Sequence, residues 1–246
     1  MGDMRDNVIL ITGGNGGIGK SVVDRFLRKG NRVIVLDLQD VTAEYGQPEN
    51  LEYIKTDVTE PEQLQKAYQK IKKKYGYVDH VISMAGVNMQ SEIGGMDTIL
   101  LEDIDRSIKL NLNAHLYLVK IMLELLEKSE EKRKTITLIS SINAISSYGL
   151  PAYSAAKAGI YGFMRAVVKE MGEKEIRINT ISLGTVPHED EETENNEYFD
   201  YHRKNLAMKE FVQPKDVADT IYSLVYHMKS ITGQNIILDM GQSIIK

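Results

Sequence analysis

Tyr153 and Lys157 are the two side chains of this sequence whose types and spacing have most to offer chemically. A phenol can pass a proton to or from a substrate oxygen, but it is too weak an acid to do so unaided. An ammonium one helical turn away can lower its pKa and hold a sugar hydroxyl beside it. Far upstream, Thr12-Gly13-Gly14-Asn15-Gly16-Gly17-Ile18-Gly19 follows an apolar run and opens a helical pattern. In that context backbone N–H groups and the positive end of a helix face a pyrophosphate, and Gly13, Gly17 and Gly19 permit the tight turn and close backbone approach. Together the two motifs imply a nicotinamide-dependent oxidoreductase.

Asp37 closes the second apolar run, 18 residues after Gly19. A carboxylate there can accept hydrogen bonds from both hydroxyls of an adenosine ribose. A 2′-phosphate would instead meet like charge, at a cost on the order of 4 kcal/mol for an effective dielectric of 20. Neither Leu38 nor Asn15 supplies a cation to offset that repulsion, so the expected cofactor is NAD(H). The plainer alternative is a carboxylate that merely ends a strand.

These groups need a scaffold, and the hydrophobic pattern describes one. Short Val- and Ile-rich runs at Val8–Thr12, Arg32–Asp37, Leu51–Lys55, His80–Ser83, Thr135–Ser140, Arg177–Ser182 and Asn235–Asp239 read as buried strands. Between them lie helical patterns at Gly17–Lys29, Pro61–Tyr75, Leu101–Lys128, Tyr153–Met171 and Pro214–Met228. Alternation of this kind specifies a doubly wound α/β fold, a parallel sheet of about seven strands covered on both faces, because parallel neighbours need a crossover. Pro61 and Pro214 suit first helical turns, with Asp57 and Thr59 as caps before the first of them.

Length and composition set the bounds. A chain of 246 residues suits a single large domain. The net charge of −5 is spread without a basic stripe, which argues against nucleic acid and for a small soluble ligand. The absence of cysteine removes disulfides, thiolate metal ligands and cysteine nucleophiles together, and no metal set is expected. With neither a signal-peptide core nor an 18-residue apolar run, the expected setting is cytoplasmic, away from membranes.

From Val8 to about Ser243 the sequence resembles the short-chain dehydrogenase/reductase family in its single-domain, Rossmann-like form. The resemblance is carried by the Thr12–Gly19 turn, Asp57-Val58, Ala85-Gly86, Asn111 within Leu110-Asn111-Leu112, and Ser140-Ser141. It continues through Tyr153-x-x-x-Lys157, Ile176-Arg177-Ile178-Asn179 and Ile231-Thr232-Gly233-Gln234. It implies that Tyr153 is the general acid/base, that Ser141 orients the substrate oxygen, and that Lys157 binds the nicotinamide ribose. Asn111 would support a water linking that lysine to solvent. Asp57 and Val58 would meet the adenine, Ala85 and Gly86 would pass beneath the adenosine-side ribose, and the Gly184–Val186 backbone would approach the carboxamide. Spacing to the tyrosine selects Ser140, whereas alignment of the strand end selects Ser141, which is preferred.

The sequence also departs from the family. Ser83-Met84 replaces two asparagines and removes an amide that helps hold the central strand, Leu183-Gly184 replaces Pro-Gly, His188 replaces a threonine, and Asp239-Met240-Gly241 replaces a Gly-Gly ending. The acidic run His188–Glu194 lies where the family places its substrate lid, here about 185–212. Carboxylates there would favour cationic or polyhydroxylated substrates if they face the cleft, and are otherwise a solvated face. Met89, Tyr148, Phe199, Tyr201 and His202 are candidates for an apolar pocket wall or for core. The helix at Ala114–Leu126 is apolar on two sides, which implies a homo-oligomer, dimer or tetramer. The expected activity is NAD(H)-linked interconversion of a small secondary alcohol and its ketone. An NADP(H)-linked 3-oxoacyl thioester reductase and a catalytically silent cofactor-binding protein are the alternatives.

Overall fold

The computed structural model describes residues 6–40, 45–46, 48–187, 197–204 and 206–244. Seven strands form one sheet: β1 (Val8–Thr12), β2 (Arg32–Asp37), β3 (Leu51–Lys55), β4 (His80–Ser83), β5 (Lys134–Ser141), β6 (Ile176–Leu183) and β7 (Asn235–Leu238). Their order is β3-β2-β1-β4-β5-β6-β7 and every pairing is parallel. The chain winds outward from β1 to β3 and then returns to β4 beside β1. That reversal opens a crevice at the carboxyl ends of β1 and β4, where ligands of open α/β sheets bind.

The side-chain period of two sends alternate strand residues into two cores. Leu10, Ile34, Leu36, Ile136 and Ile178 pack on one face with α2 (Pro61–Lys74), α4 (Ala114–Glu127) and α5 (Pro151–Glu173). Ile9, Ile11, Val33, Val35 and Ile181 pack on the other with α1 (Gly17–Leu27) and α7 (Pro214–Tyr226). The strands are therefore apolar at every position, because both faces are covered. The remaining helices are α3 (Leu101–Ile108) and α6 (Glu197–Lys204).

The expected single helix at Leu101–Lys128 is two helices joined by a π-helical turn, Lys109–Asn113, which interrupts the regular register at Asn111. The helix bearing Tyr153 starts two residues earlier than expected, with Pro151 in its first turn. Asp57 and Thr59 do not cap α2. The cap is Glu60, without a side-chain bond, and the Asp57 carboxylate instead accepts Thr59 N–H and O–H at 2.9 and 2.7 Å in a local turn. A 3-10 segment after β4, Gln90–Asp97, had no signal in the hydrophobic period.

Candidate active site

At the β1–α1 turn, Gly13 has φ 73° and a Cβ there would stand 2.9 Å from the Ala85 backbone. A Cβ on Gly19 would lie 2.0 Å from the Gly13 carbonyl oxygen. Only glycine allows the turn and the first helical coil to approach this closely. The cap of α1, Gly16, makes no side-chain bond, and the first turn carries no acid, so its N–H groups are available to an anion. Gly17 and Ile18 begin that helix.

Asp37, at the end of β2, is held between the glycine turn and the following loop. Its Oδ2 accepts the Asn15 N–H at 3.0 Å, and its Oδ1 accepts those of Leu38 and Gln39 at 2.7 and 3.3 Å. The Asn15 amide donates to Gln39 Oε1 at 2.8 Å. The carboxylate is thus fixed in orientation, with lone pairs left for a diol. Around it stand Asn15, Leu38 and Gln39, none of them a cation. Val58 belongs to the apolar core rather than the surface beside Asp57. These residues fit the adenosine ribose of a dinucleotide.

The polar set converges above the ends of β4 and β5. A Cβ on Gly86 would lie 2.7 Å from Asn111 Oδ1 and 3.0 Å from Lys157 Nζ, which places all three residues together. Asn111 is fully buried and clamps Val87, accepting its N–H at 3.1 Å and donating to its carbonyl at 2.8 Å. The π turn brings the amide to this position. Lys157 is buried, donates to the Ile139 carbonyl at 3.1 Å, and lies 5.5 Å from the centre of the Tyr153 ring. Burial pulls its ammonium down to about 7.

Tyr153 differs from expectation in one respect. Burial pushes its phenol above the ordinary tyrosine value, the Ser141 hydrogen bond draws it down, and the Glu92 charge raises it further. The lowering expected from Lys157 is therefore not found: burial outweighs the opposing pull of Ser141, and the phenol stands above its ordinary value. The two serines separate in the same region. Ser141 engages the Tyr153 phenol and lies 3.0 Å from Asn143 Oδ1, whereas Ser140 is buried and donates to the Lys157 carbonyl at 3.0 Å.

At Ser83-Met84 the end of the central strand is held by other side chains. Thr12 Oγ1 accepts the N–H groups of Met84 and Ala85 at 3.1 and 3.3 Å, and Ser83 Oγ lies 2.7 Å from Nδ1 of the buried His115. Gly184 continues β6 by donating to the Leu238 carbonyl at 2.9 Å, and a Cβ on it would meet Asp239 at 2.8 Å. Buried Gln242 accepts the Thr185 N–H at 2.9 Å and donates to its hydroxyl at 3.0 Å, so it holds the turn leading to Val186. Neither His115 nor Gln242 carried a sequence signal, since both act through space.

Phe199 is core, buried edge-on to Phe211 at 5.5 Å, and Tyr148 donates to the Gln242 carbonyl at 2.7 Å. Met89 is half-buried ahead of the 3-10 segment. Residues 188–196, which include His188 and the acidic run, lie outside the described residues, as do the side chains of Tyr201 and His202. A cavity of about 400 Å³ lies at the amino ends of the central strands, lined by residues including Asn7, Asn31, His80 and Tyr226. It includes none of the converging polar set.

A model of the short chain dehydrogenase family matches residues 7–198. The chain is 29% identical over 96% of its length to the 3-oxoacyl-[acyl-carrier-protein] reductase FabG of Buchnera aphidicola, of which 96% is covered. It is 26% identical to the zerumbone synthase of Zingiber zerumbet, over 98% of this chain and 96% of that one. The structure of a short chain dehydrogenase from Leptospira borgpetersenii with bound NAD+ superimposes with a TM-score of 0.88, at 23% identity, over 98% of this chain and 94% of that one.

Proposed function

This chain belongs to the short chain dehydrogenase family, and on that premise we propose that it is an NAD(H)-dependent oxidoreductase interconverting a small secondary alcohol and its ketone. The observation that carries the reading is the grouping of Tyr153, Ser141, Lys157 and Asn111 beside Gly86. The nicotinamide, when bound, supplies or takes the hydride. The glycine turn and the open end of α1 would face its pyrophosphate, Asp37 its adenosine ribose, and Lys157 its second ribose. The backbone at Gly184–Val186 would meet its carboxamide.

The side chains handle the proton. Ser141 donates to the substrate oxygen and sets its distance from the phenol. Tyr153 gives its proton to that oxygen in reduction and takes one back in oxidation. Lys157, brought to about 7, shares a proton readily near neutrality, and Asn111 fixes the backbone that roofs it. Replacement Tyr153→Phe should lower turnover about 10²–10⁴-fold with NADH affinity nearly unchanged, which steady-state rates and calorimetry together measure.

A second reading, NADP(H)-linked reduction of a 3-oxoacyl thioester, is favoured by the name of the Buchnera relative. The lack of a cation among Asn15, Leu38 and Gln39 favours the first. Calorimetric titration with both cofactors should give NADH at least about tenfold tighter binding, with Asp37→Ser plus Leu38→Arg narrowing or inverting the ratio. Equal wild-type affinities would remove the NAD assignment. Rates on secondary alcohols against 3-oxoacyl thioesters divide the substrate readings.

A further inference from the structure

Glu92 is a carboxylate with no exposed surface, set in the 3-10 segment after β4. Its Oε2 accepts the backbone N–H of Tyr153 at 2.9 Å, while its buried Oε1 has no hydrogen-bond partner among the described residues. The helix it meets lacks a local acceptor. Leu150, at the cap, adopts φ 56° and makes no side-chain bond, Pro151 has no N–H, and the first turn carries no acid. The acceptor therefore arrives from 61 positions away.

A buried carboxylate must be compensated, and here the compensation is the positive end of a 23-residue helix. Its incompletely bonded oxygens leave a charge able to act on its neighbours. Lys157 from α5 and the Ser141 hydroxyl from β5 face the Tyr153 phenol, Glu92 from the 3-10 segment meets the same residue at its backbone N–H and adds its charge, and buried His115 of α4 lies within reach of the Lys157 charge. Asp103 of α3 is taken up by Ser91 and Arg106 at 2.6 and 3.3 Å.

We propose that Glu92 is a positioning residue, which caps the helical turn carrying Tyr153 and opposes the Lys157 ammonium at the phenol with a fixed negative charge. The inference rests on Tyr153 as the acid/base. A carboxylate nearby disfavours tyrosinate and favours ammonium, so it keeps both protons bound to higher pH. Burial, the larger influence on the phenol, acts in the same direction as Glu92.

The test compares wild type with Glu92→Gln, which keeps an acceptor for the N–H and removes the charge. The limb of the turnover profile governed by the Tyr153–Lys157 pair should move to lower pH, whichever of the two it reports. Glu92→Asp, which keeps the charge, should leave the limb in place. Ultraviolet titration of the tyrosinate signal that is missing from Tyr153→Phe should show the same downward shift in Glu92→Gln without recourse to turnover. Coincident titrations in wild type and Glu92→Gln overturn the inference and leave the proposed function standing. Near-normal turnover in Tyr153→Phe overturns the function instead, and the tyrosinate titration still decides whether Glu92 acts on residue 153. Should Glu92→Gln fail to fold, a wild-type Tyr153 that ionises at or below the ordinary tyrosine value overturns the inference.

Discussion

Two adjacent serines show how sharply single residues divide chemistry from support. Ser141 engages the phenol of Tyr153, while Ser140, one position earlier and therefore on the other face of β5, donates to the backbone carbonyl of Lys157. Ser141→Ala should lower turnover and leave cofactor affinity and melting temperature nearly unchanged. Ser140→Ala should remove one buried hydrogen bond between β5 and α5 and cost about 0.5–1.5 kcal/mol of stability, read from denaturant unfolding. The reverse pattern would exchange their roles. Asp37 illustrates the same economy, since one carboxylate accepts N–H groups from both the glycine turn and the loop after β2.

At the scale of elements, the end of β4 is tied down from two sides. Thr12 accepts the N–H groups that follow the strand, and His115 reaches Ser83 from α4. His80 begins the same strand, held by Asn7 and Thr135 at 3.0 Å each. Burial, with Arg177 adding, pulls His80 down to about 3, and burial with the Lys157 charge pulls His115 well below the ordinary histidine value. The unfolded chain therefore takes up protons that the folded one refuses. The histidines' contribution to stability is fully present above about pH 6.5 and should be lost progressively as pH falls below it, for His80 down toward about 3. Urea unfolding across pH 7 to 4 measures the slope. A stability that is flat over that interval would show that neither imidazole is held neutral by the fold.

For the whole molecule, the second face of α4 is where an assembly is expected. Leu116, Tyr117, Ile121 and Leu123 are half-buried, and Tyr161, Phe163 and Val167 of α5 are also only partly covered by the chain's own core. Such a surface on two adjacent helices is rarely left to water. Light scattering should give at least twice the 27.8 kDa chain mass, and Leu116→Glu with Phe163→Glu should shift the species toward monomer. A monodisperse wild-type monomer at micromolar concentration would exclude this interface. Among the described residues no helix is long and apolar enough to cross a membrane.

The sequence by itself determined the seven strands, their parallel winding and the location of the cofactor turn. Strand burial writes a continuous apolar run, helices write a 3.6-residue period, and the glycine turn is a local steric demand, so each is legible within a few residues. The pairing of Tyr153 with Lys157 was legible for the same reason, being one helical turn. The π turn at Asn111, the division of labour between Ser140 and Ser141, the Ser83–His115 contact, the Gln242 brace and the Glu92 cap belong to the tertiary structure. Each depends on partners distant in the chain, brought together by the stacking of helices on the sheet. The same packing sets their protonation, because burial, which no local pattern encodes, dominates the shifts at Tyr153, Lys157, His80 and His115.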